Sequence, residues 1–329
     1  MTGERVLVTG ASGFIGWHIA RDLAAAGYDV SGTSRSADRA LPANVRRAVV
    51  SDLRSDFELH NALGCVGTVI HAAGLAHVTG RLDARGVLHQ TNVEGTRSLM
   101  EQAGRAGVRR VVMISSAAVH GAARNGVLKE DAPEQPCTAY GVSKLGSERV
   151  AREIAAHYDM SCIVLRPPMV YGPGMKGRPL QLFRCLARGV PLPVGALHAP
   201  RSVIFVGNLV KGVEALVASR ISGTAAFLIA DREAISIAAF AKAAAEALGT
   251  AARLLPVHPN VLRLLFAMRT RVRDPDGKRG RTTMGHLLEA LVLDTSRITA
   301  MTGFAPSTST ADGLRRTAQW FRATHRTAG

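Results

Sequence analysis

The stretch Arg5-Val-Leu-Val-Thr-Gly-Ala-Ser-Gly-Phe-Ile-Gly16 constrains this chain more than any other. Its apolar start, residues 6–8, predicts a short buried strand, and Gly10, Gly13 and Gly16 follow in the spacing G-x-x-G-x-x-G before a helical run opens at Trp17. In such a corner one glycine permits the sharp turn, another lets backbone N–H groups approach a pyrophosphate, and the third lets helix and strand pack closely. Three glycines alone mark an ordinary strand–turn–helix. Here a strand precedes them, a helix follows, and a second apolar strand begins after Tyr28, which is the context of a dinucleotide site. Gly10, Ser12, Gly13, Phe14, Ile15 and Gly16 are therefore the expected cofactor contacts.

Further apolar segments at 29–33, 47–50, 68–71, 110–114 and 162–165 alternate with helical stretches, and most are near-continuous apolar runs. That pattern predicts an α/β fold, a doubly wound parallel sheet covered on both faces. Ligands of such sheets sit beyond the carboxyl ends of the strands. The second strand ends in Ser34-Arg35, where NAD-binding proteins usually carry an acid for the ribose hydroxyls. A small neutral residue with an arginine suits a 2′-phosphate, so NADP(H) is favoured and NAD(H) is the alternative. Asp52 and Leu53, after the third strand, are expected at the adenine edge. The fourth strand runs into His71-Ala72-Ala73-Gly74, whose small residues leave room for the cofactor, with His71 in a structural role.

The chain of 329 residues suffices for one large domain or two sharing a cleft. No apolar run approaches the roughly 20 residues of a membrane span, and the apolar N-terminus belongs to the first strand rather than to a signal peptide. Cys65, Cys137, Cys162 and Cys185 form no C-x-x-C pair, as expected of reduced thiols in a cytoplasmic protein with no metal site. The net charge of +16 raises the question of a polyanion partner. Basic residues concentrate only at 263–281, without an aromatic-studded motif, so a solvated basic face is expected and a nucleic-acid partner is not. A positive field also attracts anionic cofactors and diphosphates.

The fifth strand ends in Ser115-Ser116, and Tyr140-Gly-Val-Ser-Lys144 follows on a predicted helix. The i, i+4 spacing puts phenol and ammonium on one helical face. A free phenol, with a pKa of about 10, is a poor base at neutral pH; a neighbouring ammonium and an oxidised nicotinamide favour its ionised form. Ser116 can hydrogen-bond the same substrate oxygen.

With these pieces in place, the chain resembles an extended short-chain dehydrogenase/reductase of the NAD-dependent epimerase/dehydratase family. The matching motifs are TGASGFIG (9–16), DL (52–53), HAAG (71–74), NVEGT (92–96), SSAAVHG (115–121), YGVSK (140–144) and LRPPMVYGPG (165–174). They continue through RGVPLPVG (188–195), RSVIFVGNL (201–209), LDTSRITAMTGFAP (293–306) and GLRRTAQWF (313–321). The resemblance implies a Rossmann domain, 1–174 plus 202–230, and a smaller α-rich substrate domain, 175–201 plus 231–329. It implies a catalytic set of Ser116, Tyr140 and Lys144, with Asn92 supporting the proton relay and Pro167 beside the nicotinamide. It places Arg201 on a nucleotide-sugar diphosphate, with Arg178 nearby where this branch usually has Asn. A homodimer through the Asn92 and Tyr140 helices is also implied, and the small residues Gly95, Gly141, Ser143 and Gly146 would permit close helix approach.

Within the family the chain is most similar to bacterial UDP-sugar 4-ketoreductases and 4-epimerases of surface-polysaccharide synthesis, with UDP-N-acetylquinovosamine synthesis the nearest example. His120 stands where Tyr or Asn is common, and Met169 where many 4-epimerases carry an Asn. Ser34-Arg35 and Met169 favour a reductase of a 4-keto nucleotide sugar over a 4-epimerase. Reduction of another small-molecule ketone is a further alternative, because fold and catalytic set do not define substrate. A non-catalytic sensor would not need Tyr140 and Lys144.

Overall fold

The computed structural model describes residues 3–35, 40–49, 58–76, 84–121, 126–262, 264 and 290–325. Seven strands form the main sheet: β1 (Arg5–Thr9), β2 (Asp29–Ser34), β3 (Arg46–Val49), β4 (Val66–His71), β5 (Arg110–Ile114), β6 (Ser161–Arg166) and β7 (Thr224–Leu228). Their order is β7-β6-β5-β4-β1-β2-β3, with every neighbouring pair parallel. The expected doubly wound sheet is present. The order reverses at β1, so the topological switch lies between β1 and β4, where such sheets bind ligands.

Alternation along the strands builds two apolar layers. Val6, Val8, Val112, Ile114, Ile163 and Leu165 face one side, packed against Ile19 and Leu23 of helix Phe14–Ala25 and Leu209, Val213 and Leu216 of helix Val206–Ala218. Leu7, Val111, Met113, Cys162 and Val164 face the other. They meet Leu99 and Met100 of helix Gly95–Arg105 and Val150 and Ile154 of helix Ala139–His157. At about 1.5–3 kcal/mol for each fully buried large apolar side chain, these layers hold the sheet between its helices.

Beyond Pro173 the chain leaves this alternation. Helix Arg178–Ala187 follows, and helix Ile237–Leu248 is capped by Ser236, whose Oγ accepts from Ala239 N. Leu254 bridges to Leu192, and residues 259–262 are helical. The basic run 263–281 lies outside the described residues except for Leu264. Tyr171, Phe183, Phe205, Phe240, Leu314 and Phe321 form a third apolar cluster under the C-terminal helix Thr310–Thr324. Among the described residues no helix is long and apolar enough to cross a membrane.

A buried carboxylate joins this region to the sheet. Asp231, just past β7, accepts from the Phe205 N–H (3.0 Å), Asn208 Nδ2 (2.7 Å) and the Tyr171 hydroxyl (3.1 Å). Asn208 in turn donates to Thr308 O and accepts from Thr308 N, fixing the approach to the last helix. Removing the carboxylate leaves three buried donors without their acceptor. Asp231→Ala is therefore expected to lower stability by about 2–4 kcal/mol, read from urea unfolding. An unchanged unfolding midpoint would mean that those donors are served elsewhere.

Candidate active site

The glycine turn has the geometry its spacing requires. Gly10 adopts φ +69°, and a Cβ there would lie 2.8 Å from Ala73 Cα and 2.9 Å from Ala73 N. Glycine is thus needed for both backbone conformation and contact with the β4 loop. A Cβ on Gly16 would run into the Gly10 carbonyl, so that position needs a glycine for packing alone. Gly13 is the N-cap of helix Phe14–Ala25, and its N–H is taken by Gly10 O at 2.8 Å. The N–H groups that open the helix, on Phe14, Ile15 and Gly16, point from its end into the turn. No side chain caps this end and no acid lies in its first turn, which leaves its positive dipole for an anion. A dinucleotide pyrophosphate fits this cradle.

The neighbouring strand tips are tied to the turn. Gly10 N donates to Thr33 Oγ1 and Ala11 N to Thr33 O, both at 3.1 Å. Ser34 follows, buried, and Arg35 stands exposed at the end of β2. Asp52 and Leu53 lie outside the described residues.

His71 is structural, as expected, and its tautomer follows from its partners. Ala73 N donates to Thr9 Oγ1, which bonds His71 Nδ1 at 2.8 Å; His71 Nε2 bonds Thr96 Oγ1 at 3.0 Å, and Thr96 donates to Asn92 O. Since Thr96 uses its proton on Asn92, His71 must donate from Nε2 and accept at Nδ1. Burial, aided by the Lys144 charge, lowers its pKa to about 3, so the ring is neutral.

Asn92 sits in a π-helical turn, His89–Glu94, that sequence reading did not anticipate. Such turns often accompany functional sites. Its side chain accepts from Leu75 N (2.8 Å) and donates to Leu75 O (3.0 Å) and Ser143 Oγ (2.9 Å). Asn92 thereby ties the loop after Gly74 to the Tyr140 helix. Its carbonyl is held by the Thr96 and Ser147 hydroxyls.

Helix Ala139–His157 begins at Thr138, whose Oγ1 caps Gly141 N at 3.0 Å. Tyr140 and Lys144 fall on one face. Lys144 Nζ is buried and donates to Ile114 O, at the tip of β5, at 2.8 Å. Ser116 starts the turn Ala117–His120; its Oγ accepts from Ala118 N, and its hydroxyl proton remains within reach of the Tyr140 phenol. Pro167 is buried one residue past β6, and its carbonyl accepts from Ala117 N at 2.9 Å. Ser116, Tyr140, Lys144, Asn92, Gly74 and Pro167 thus share linked segments at the strand tips. Arg178 stands exposed at the first position of its helix after Gly177, and Arg201 lies half-buried in a two-residue strand paired with Ile235–Ser236.

Burial sets the electrostatics. The Tyr140 phenol is pushed up to about 12, with the Ser116 hydroxyl opposing the shift. Lys144 is lowered to about 8 by burial, partly offset by Glu148. At neutral pH the site therefore holds a protonated phenol beside a mostly protonated amine, the state of a general acid.

The small residues expected at a subunit interface are used within the chain. A Cβ on Gly146 would sit 3.0 Å from Val93, Gly141 abuts Ala118 O, and Ser143 bonds Asn92. Gly95 is buried. They pack this protein's own helices, so they lend no support to a dimer.

Residues 6–230 match the NAD dependent epimerase/dehydratase family. The UDP-glucose 4-epimerase of Vibrio cholerae is 28% identical over 97% of this chain and 98% of its own length. The ceramide reductase of Caulobacter vibrioides is 29% identical over 76% of this chain and 72% of its own. Among solved structures, MoeE5 in complex with UDP-glucuronic acid and NAD superposes with a TM-score of 0.79 at 29% identity, covering 98% of this chain and 100% of that one. With its glycine turn, seven-stranded parallel sheet and Ser–Tyr–Lys arrangement, the chain belongs to the NAD dependent epimerase/dehydratase family of extended short-chain dehydrogenases/reductases.

Proposed function

We propose that the protein is an NADP(H)-dependent oxidoreductase that reduces the 4-keto group of a nucleotide sugar, with a UDP-sugar as the preferred class. The observation that carries this reading is the protonated Tyr140 phenol, within reach of the Ser116 hydroxyl and one helical turn from Lys144. A bound nicotinamide would supply the hydride. Tyr140 then donates its proton to the oxygen that gains negative charge, Ser116 donates a hydrogen bond to the same oxygen, and Lys144 stabilises the phenolate left behind. Asn92 keeps this machinery in register and supports proton return to the site.

The Rossmann unit, 1–174 plus 202–230, holds the dinucleotide, and 175–201 plus 231–329 hold the nucleotide sugar. Arg201 and Arg178 supply the fixed charges for a diphosphate. A second reading is 4-epimerisation, in which the same carbon is oxidised and re-reduced with retained NAD. It draws on the name of the Vibrio cholerae relative and on the NAD held by MoeE5. Ser34-Arg35 and the half-exposed Met169 favour reduction.

Tyr140→Phe is expected to abolish turnover while leaving dinucleotide binding nearly intact, because the phenol acts on substrate oxygen. Loss of binding with normal turnover in the bound fraction would remove the role. In the reductive direction the rate should also decline as pH rises past about 8, where Lys144 loses its proton.

Cofactor choice separates the two readings. A guanidinium pairing with a 2′-phosphate contributes about 1.5–3 kcal/mol, roughly a ten- to hundred-fold preference for NADPH. Arg35→Ala should weaken NADPH binding by that factor and leave NADH almost unchanged, as fluorescence titration would read. Release of tightly held NAD from denatured wild-type protein would instead favour epimerisation.

The family resemblance also leads us to infer a homodimer. Light scattering at micromolar concentration is expected to return twice the mass of one chain; a single-chain mass overturns it.

A further inference from the structure

A cluster of charges lies behind the candidate site, with two buried members at its centre and Glu134 and Arg152 at its partly exposed rim. Arg166, at the end of β6, is 1% exposed, and Glu148, on the Tyr140 helix, is fully buried. Arg166 Nε donates to Glu148 Oε1 at 3.1 Å and its terminal nitrogen to Oε2 at 2.6 Å, a two-point pairing. The same guanidinium bonds His120 Nε2 at 2.9 Å and ion-pairs with Glu134. Arg152 closes the group on Glu148 at 2.8 Å. Two arginines thus face two glutamates. His120 is neutral: burial and the Arg166 charge lower its pKa, and its Nδ1 donates to Ala132 O at 3.1 Å, so Nε2 accepts.

Each member belongs to a segment that carries a piece of the site. Glu148 lies one turn past Lys144 and two past Tyr140 on the same helical face. Its Oε1 also accepts from the hydroxyl of Ser115, the neighbour of Ser116. His120 ends the short turn that Ser116 caps. Arg166 immediately precedes Pro167. Glu134 lies in the loop that leads into the Tyr140 helix. A salt bridge this deep is weak warrant for stability, because apolar residues of similar volume often serve as well. What apolar packing would not supply is a directional link from Ser115 through Glu148 and Arg166 to His120.

We propose that Glu148, Arg166 and His120 are positioning residues that hold the Ser116 hydroxyl against the Tyr140 phenol. The inference rests on the role given to Tyr140 above. Glu148→Gln retains the size and one acceptor but turns an amide N–H toward the guanidinium, displacing both Arg166 and Ser115. His120→Ala removes an acceptor from Arg166, whereas His120→Asn keeps one.

The test uses the full-length protein. With a 4-keto nucleotide sugar, Glu148→Gln and His120→Ala are expected to lower kcat about ten- to hundred-fold, with KM and cofactor affinity near wild type and with His120→Asn restoring most of the rate. Carbon-13 NMR of ring-labelled tyrosine supplies a readout independent of turnover, since the chain has 4 tyrosines and Tyr140→Phe assigns the signal. The Tyr140 resonance should move in Glu148→Gln and His120→Ala in the same sense as in Ser116→Ala. A Tyr140 signal that stays at its wild-type position in both variants overturns the positioning role, whatever their melting temperatures. If wild-type protein turns over no nucleotide sugar, the proposed function fails and the NMR comparison alone decides on the buried cluster.

Discussion

The close approach of Gly10 to Ala73 governs the arrangement of the site. It brings the β1 turn against the loop after β4, on either side of the point where the strand order reverses. Any side chain at Gly10 would fill the space between them, because its Cβ would lie 2.8 Å from Ala73 Cα. Gly16 then lets the helix after the turn pack down onto Gly10. The result is an uncapped helix end facing the cleft, and a carbonyl-and-hydroxyl chain through Thr9, His71 and Thr96 that carries the same alignment across to Asn92.

Burial shifts the titrating groups inside the protein, and hydrogen-bond partners make that burial tolerable. Lys144 is desolvated but anchored on a carbonyl, and His71 sits between two hydroxyls as a neutral ring. Arg166 is surrounded by two carboxylates and an imidazole acceptor. Burying an isolated charge is expensive, so each such group comes with partners that satisfy its hydrogen bonds. The consequence for chemistry is a rigid frame around one phenol, whose proton is retained at neutral pH because its surroundings disfavour the ionised form.

The sheet and the placement of Ser116, Tyr140 and Lys144 were legible from residues because each rests on local regularities. Apolar runs of strand length, separated by helix-length segments, give a parallel sheet with few alternatives, and every expected strand of that sheet is present. A Tyr and a Lys one turn apart must share a helical face. The π-turn at His89–Glu94 has no such local mark. Nor do the partners of Arg166: Glu134 and Glu148 lie 32 and 18 residues away in sequence, and only packing brings them together. A charged residue ending the apolar strand SCIVLR, and a Glu in register with Tyr140 and Lys144, were the available hints. The small residues Gly141, Ser143 and Gly146 show the converse, since their spacing allows close helix approach without saying which helix approaches. The structure spends them on Val93, Asn92 and Ala118.

By itself the sequence determined the doubly wound sheet, the glycine turn and the shared helical face of Tyr140 and Lys144, because glycine stereochemistry, strand alternation and helical periodicity act over a few residues. Tertiary structure alone decided the neutral tautomer of His71, the anchoring of Lys144 on Ile114 and the enclosure of Arg166 by Glu148, Glu134 and His120. Those features depend on which distant segments exclude water from one another. Burial and hydrogen-bond direction exist only once the strand tips have been brought side by side.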